Sequence, residues 1–177
     1  MKRILYAALI CASLAVLPVS CSIIDINEMK EKAGLGDYAD PRLNGTWISP
    51  VNQEKMVMSD GYFEAYYYNG AYYPTTKGAY FTNGSKYTRM VTGINGVYLY
   101  WELQNIGVTI PMPDNKWYGR NDLRKFFIDL GFSAGNVNDM LNGIFVTEPG
   151  TYSLSGNTVT FTLDRKSGPG IFTFNRE

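Results

Sequence analysis

The chain has 177 residues, 45% of them hydrophobic and 15% aromatic, with 16 basic and 16 acidic residues and no histidine. That charge balance gives no electrostatic reason to expect nucleic acid as a partner. The missing histidine removes Ser-His-Asp and Cys-His nucleophile systems in their usual forms, and with them the commonest zinc ligand.

The chain opens on the basic residues Met1-Lys2-Arg3. An uncharged run from Ile4 to Val19 follows and ends in the small or polar residues Ser20-Cys21-Ser22. A basic start, an apolar stretch and a small-residue exit predict a secretory signal peptide over 1–20. A membrane span needs roughly 20 predominantly apolar residues; this run is shorter and Pro18 breaks it. The exit resembles the lipobox of bacterial lipoproteins, with Ser20 and Val19 before Cys21, although Pro18 stands where a leucine-like residue is usual. The resemblance implies that Cys21 is acylated and holds the chain to a membrane of the bacterial cell envelope. Cleavage without lipid, giving a secreted or periplasmic protein, stays open. Cys11 leaves with the signal, so no disulfide framework can be drawn for the folded part. About 155 residues remain, enough for one domain with a sizeable core. Loss of Lys2 and Arg3 leaves 14 basic against 16 acidic residues and no reason for attraction to anionic lipid, so an anchor, if there is one, is covalent.

Residues 21–43 read as a polar tether, and the domain is expected over 44–177. From Gly45 onward, aromatic and β-branched residues crowd into short runs separated by Asp60-Gly61, Asn69-Gly70, Asn83-Gly84 and Asn95-Gly96. Such pairs tolerate positive φ and suit the tight turns of hairpins, so the spacing predicts an antiparallel meander. In 157–163, Val159, Phe161 and Leu163 share one face and three threonines the other. In 97–103, Val97, Leu99, Trp101 and Leu103 oppose Tyr98, Tyr100 and Glu102, which predicts a second clean strand. Residues 62–68 carry rings on both faces. The pattern G-x-Y-x-x-x-G-x-x-x-T occurs at Gly78-Ala79-Tyr80 and again at Gly150-Thr151-Tyr152, two strand–turn–strand units.

Residues 104–149 interrupt the meander, because Ile110-Pro111-Met112-Pro113 cannot continue a central strand. Leu123, Phe126, Phe127 and Leu130 then fall at i, i+3, i+4 and i+7, which predicts an amphipathic helix with Asn121 as its cap and Gly131 as its stop. Val137, Met140 and Leu141 predict a second helix ended by Asn142-Gly143, so a two-helix insertion is expected over 119–143.

Catalytic motifs are lacking: no G-x-S-x-G elbow, Walker loop, H-E-x-x-H or EF-hand loop is present. Glu64 and Glu102, on predicted strands, are the remaining carboxylates for glycoside hydrolysis, and they read better as solvated strand residues. Asp37 with Asp40, or Asp114 with Asp122, are scattered loop acids with nothing to fix a metal geometry. The expectation is a protein that is not an enzyme and needs no cofactor or metal.

Leu43-Asn44-Gly45-Thr46-Trp47 resembles the G-x-W that opens the first strand of lipocalins and of bacterial lipocalin-like lipoproteins, and the segment from Gly150 to Arg176 resembles the end of those domains. The resemblance spans roughly 43–177; the 104–149 insertion departs from it, and no T-D-Y-like second signature is present. It implies a mainly β fold, an antiparallel lipocalin-like β-barrel carrying the helical insertion, with a β-sandwich as the alternative. It also implies that Arg176 packs across Trp47, with Gly45 beside them, and that the barrel, expected to be a monomer, holds a small apolar ligand without catalysis. The ring-bearing residues Tyr62, Phe63, Tyr66, Tyr67, Tyr68, Tyr80 and Trp101 are the candidates for that ligand. Phe126 and Phe127 join them as part of a helical lid over one barrel mouth. The other reading is a filled barrel whose exposed tyrosines contact a protein or glycan at the cell surface or in the periplasm.

Overall fold

The computed structural model describes residues 39–51, 54–105, 107–111, 114–165 and 168–177. The signal segment, Cys21, Asp37 and nearly all of the expected tether lie outside the described residues. The described chain divides into two units, one of residues up to Thr92 together with those from Val146 on, the other Gly93–Phe145.

The first unit is a single antiparallel sheet closed on itself. Its strands are β1 (Gly45–Ile48), β2 (Glu54–Ser59), β3 (Tyr62–Tyr68), β4 (Tyr72–Asn83) and β5 (Lys86–Asn95), then β7 (Thr147–Ser155), β8 (Thr158–Leu163) and β9 (Gly170–Arg176); β6 (Trp117–Tyr118) belongs to the second unit. Each barrel strand pairs with the next along the chain, β5 with β7 across the insertion, and β9 returns to β1 through Trp47↔Arg176 and Ile48↔Asn175. An eight-stranded meander has therefore replaced both sheet edges by pairing, which excludes the β-sandwich. The predicted turns make it possible: Asp60 (φ 48°) and Gly61 (φ 86°) form the β2–β3 turn with the doubly positive φ that matches strand twist.

The alternation read in 157–163 is the burial pattern of β8, where Val159, Phe161 and Leu163 are buried. Both copies of the glycine–tyrosine pattern are hairpin strands, and their first glycines share one steric cause. A Cβ on Gly78 would lie 1.8 Å from the Met90 carbonyl oxygen, and one on Gly150 would lie 2.1 Å from that of Thr162. Only hydrogen lets the two backbones approach so closely.

The barrel also begins earlier than expected. Asp40 and Leu43 are buried, and Pro41–Leu43 form a 3-10 turn, so these residues belong to the domain and not to a tether ending at 43.

The second unit holds three helices where two were expected: α1 (Gly96–Asn105), α2 (Arg120–Asp129) and α3 (Ala134–Ile144). Residues 97–103 are thus helical, contrary to the strand expected there. The segment is apolar on nearly every side, so alternation did not discriminate; what decides is that Leu99 and Leu103, one turn apart, are both buried in a core with Ile94, Leu123, Phe127, Val137 and Leu141. Asn95-Gly96 starts this helix instead of turning a hairpin, the Asn95 Oδ1 accepting the Val97 amide at 3.0 Å. α2 starts one residue before Asn121, and its cap position is Gly119, whose amide donates to Asp122 Oδ2 at 3.1 Å. Gly131 ends α2 as expected, with φ 88°, whereas α3 runs through Asn142-Gly143 to Ile144. The Leu123/Phe127 stripe is consumed in the unit's own core, where Phe126 packs against it half-buried, while Leu130 is exposed.

Candidate ligand site in the barrel

One end of the barrel is sealed by the chain that leads into β1. Leu43 and Trp47 are fully buried, and the Trp47 indole Nε1 donates to the Leu43 carbonyl at 2.7 Å. The Arg176 guanidinium lies 4.5 Å from the Trp47 ring centroid and donates to the Arg42 carbonyl, so the expected arginine–indole contact is made between register partners of the last and first strands. Gly45, with φ 135°, holds a conformation that side chains disfavour, 3.5 Å from Arg176 measured from its built Cβ.

The two repeat tyrosines tie the same segment down. The Tyr152 hydroxyl donates to Asp40 Oδ2 at 2.6 Å and that of Tyr80 to Asn44 Oδ1 at 3.3 Å, while the Asp40 amide donates to Thr82 Oγ1 at 2.9 Å. Asp40 is therefore no metal ligand in waiting: its carboxylate is taken by Tyr152 and by Arg42, 2.6 Å away. The Arg42 hydrogen bond, aided by Tyr152, outweighs burial and holds the Asp40 carboxyl down at about 2. A depressed folded value contributes stability above the unfolded value and loses it as pH falls through the folded one. The stability gap between the native chain and Asp40→Asn is therefore expected to close between about pH 5 and about pH 2, measured as urea midpoints across that range.

Above this floor the barrel is packed with rings. Tyr87 on β5 sits 4.6 Å (centroid to centroid) from Phe161 on β8, a contact across the intervening β7 that only the concave face permits. Tyr80 and Tyr152 flank it at 6.0 and 6.3 Å. Met56, Met58, Phe63 and Phe174 complete the buried inner surface. Tyr87 is 1% exposed, and its hydroxyl has no hydrogen-bond partner among the described residues. A buried hydroxyl left in that state forfeits about 1–3 kcal/mol, so a partner beyond the described residues is to be expected.

Further along the same inner face stands a charged group that the sequence reading missed. Glu148, four residues and about 13 Å of strand from Tyr152, accepts the Arg89 Nε at 2.5 Å and the Arg165 Nε at 2.7 Å. Its side chain is 10% exposed, against 23% for Arg89 and 35% for Arg165. Arg89 reaches over Phe63 on β3 at 5.9 Å, across β4, and Arg165 over Phe172 at 4.5 Å. Glu54, in phase with Met56 and Met58, completes the set; burial raises its pKa against the opposing pull of Arg89 and Arg165. Alternation was the available signal: Arg89 is in phase with Tyr87, and Glu148 with Tyr152.

The expected ligand residues do not converge. Phe63 and Tyr80 line the barrel interior. Tyr62, 69% exposed, and Tyr66 and Tyr68 alternate with Phe63 and Tyr67 and lie on the outer face, where the Lys55 ammonium sits 4.6 Å from the Tyr66 ring and 4.3 Å from the Tyr72 ring. The Tyr66 hydroxyl donates to Glu64 at 2.6 Å, and burial, with Glu64, pushes its pKa up to about 12. Tyr67 shares the phase of Phe63 near the end of β3 and is largely exposed. Trp101 and Glu102 are on α1, and Phe127 is in the helical core. Phe126 faces a groove of about 500 Å3 in the helical unit, floored by Trp117 and Tyr118 and edged by Lys116, Asp122, Lys125 and Asp129.

No family model, no curated protein and no solved structure matches this chain. The class is defined by the fold alone: among the described residues, a closed, eight-stranded, up-and-down antiparallel barrel, lipocalin-like in strand number and strand order, with one strand outside it and three short helices.

Proposed function

We propose that this chain is an exported, lipid-anchored lipocalin-like protein of the bacterial envelope that holds a small, largely apolar ligand in its barrel and catalyses nothing. The observation that carries the reading is the Tyr87 hydroxyl, buried among rings in a barrel sealed at one end and left without a partner among the described residues. A guest that fills apolar space and offers one polar atom would complete it. The lipobox-like Cys21 supports the anchor, and its replacement by alanine is expected to abolish acyl labelling and release the protein from the membrane fraction.

Native mass spectrometry of the protein extracted from its own membranes tests the ligand. A co-purifying small molecule is expected, with lower occupancy in Tyr87→Phe although that variant is as stable as the native chain or more so. A chain that carries nothing, and in which Tyr87→Phe changes no binding of apolar probes, would remove the proposal. A second reading, an interaction module for a protein or glycan, is favoured by the Tyr66–Lys55–Tyr72 stack and the exposed Tyr62 and Tyr68 on the outer face.

A further inference from the structure

We propose that the Arg89–Glu148–Arg165 group is the receptor for the carboxylate head of an amphiphile whose chain lies among the barrel rings, and that Glu54 is the counter-ion this head displaces. The inference rests on the barrel being a ligand site and adds the chemical class of the ligand.

Charge counting comes first. Two guanidiniums share one carboxylate, and Glu148 is engaged with both through their Nε atoms. One positive charge remains to be balanced on side chains only 23% and 35% exposed, where solvent offsets part of the cost and a counter-anion the rest. Glu54, on β2 in phase with Met56 and Met58, supplies the balance, but poorly, since its burial disfavours the charged form more than the two arginines favour it. An incoming monoanion that brings its own apolar tail lets Glu54 take up a proton and become neutral. The guanidiniums suit a carboxylate because their planar donor arrays match its two oxygens.

Position comes second. Phe63 and Phe172 lie beneath Arg89 and Arg165 and offer apolar contact to the first methylenes behind the head. Tyr87, two residues from Arg89 on the same inward face, holds a hydroxyl without a partner among the described residues, a donor for a ligand oxygen. The groups that act on Glu54 are Arg89 from β5 and Arg165 beyond β8, beside its register partner Tyr67 on β3, while Glu148 is held by the same two arginines. With Glu54 raised, its neutral form is reached as pH falls, so uptake of a fixed-charge anion strengthens on acidification and weakens as pH rises.

The test uses the purified Cys21→Ala chain, titrated calorimetrically with decanoate, decane-1-sulfonate and decan-1-ol below their aggregation limits. Decanoate is expected to bind about tenfold tighter than decanol, and Arg89→Met or Arg165→Met to erase most of that difference. Decanesulfonate is expected to bind more tightly at about pH 5 than at about pH 8, and Glu54→Gln, nearly isosteric and checked by circular dichroism, to bind it more tightly and to flatten this pH dependence. Equal affinity for decanoate and decanol, or no response to Glu54→Gln, overturns the head-group assignment and leaves an apolar site standing. Failure of all three to bind overturns both the assignment and the function on which it rests.

Discussion

Trp47→Ala is expected to cost about 3–5 kcal/mol of folding free energy, read from urea unfolding with an unchanged slope. The side chain is fully buried, and three losses coincide when it is removed. A large cavity opens at the sealed end, the Leu43 carbonyl loses its indole donor, and Arg176 loses the ring it covers. Arg176→Met removes the last of these together with the bond to the Arg42 carbonyl and is expected to cost only about 1 kcal/mol, because Arg176 is exposed. The double variant should then fall short of the summed losses by the worth of the pair. Equal losses in Trp47→Ala and Arg176→Met would mean that the indole is not the keystone of this end.

Gly78→Ala is the second severe change. A methyl group 1.8 Å from the Met90 carbonyl oxygen cannot be accommodated by a side-chain rotation, because the obstacle is main chain of β5. The β4–β5 pairing that closes the barrel has to spread, at a cost of about 3 kcal/mol or more. Gly84→Ala in the turn of the same hairpin makes the comparison, since nothing lies within 4 Å of its built Cβ and only its φ of 59° opposes the substitution. It is expected to cost about 1 kcal/mol. Hydrogen exchange across β4 and β5 should rise in Gly78→Ala and stay near native in Gly84→Ala.

Much of the barrel was readable because turn chemistry and period-two alternation both act locally. Asp60-Gly61 and the Val159/Phe161/Leu163 face needed no tertiary information, and the arginine–indole contact followed from the resemblance at Gly45-Thr46-Trp47. Residues 97–103 failed where local rules fail. Val-Tyr-Leu-Tyr-Trp-Glu-Leu favours a strand by propensity, yet the i, i+4 pair Leu99/Leu103 has a core waiting for it, and packing outweighs an intrinsic preference of about 1 kcal/mol. The candidate site was half legible. Alternation places the rings at 62–68 on two faces but does not say which face is inside; the fold sends Phe63 inward while Tyr62 and Tyr66, offered beside it as ligand residues, face out. Arg89, Glu148 and Glu54 were passed over because a charge on a strand is ordinarily a solvated charge. Their phase with Tyr87, Tyr152 and Met56 is what contradicts that rule.

The pairing of β1 with β9 also has a kinetic side. Arg42 and Arg176 meet across 134 residues of chain, and the cylinder has no seam until that distance is closed. Nascent hairpins such as β2–β3 can form as soon as they are made, but Trp47 stays uncovered until the last strand arrives. Long-range closure of this kind folds slowly, and a chain that stays open until then presents two raw strand edges. That delay would suit the export proposed above, since the contacts that fix the barrel cannot tighten while its final strand is still on the way.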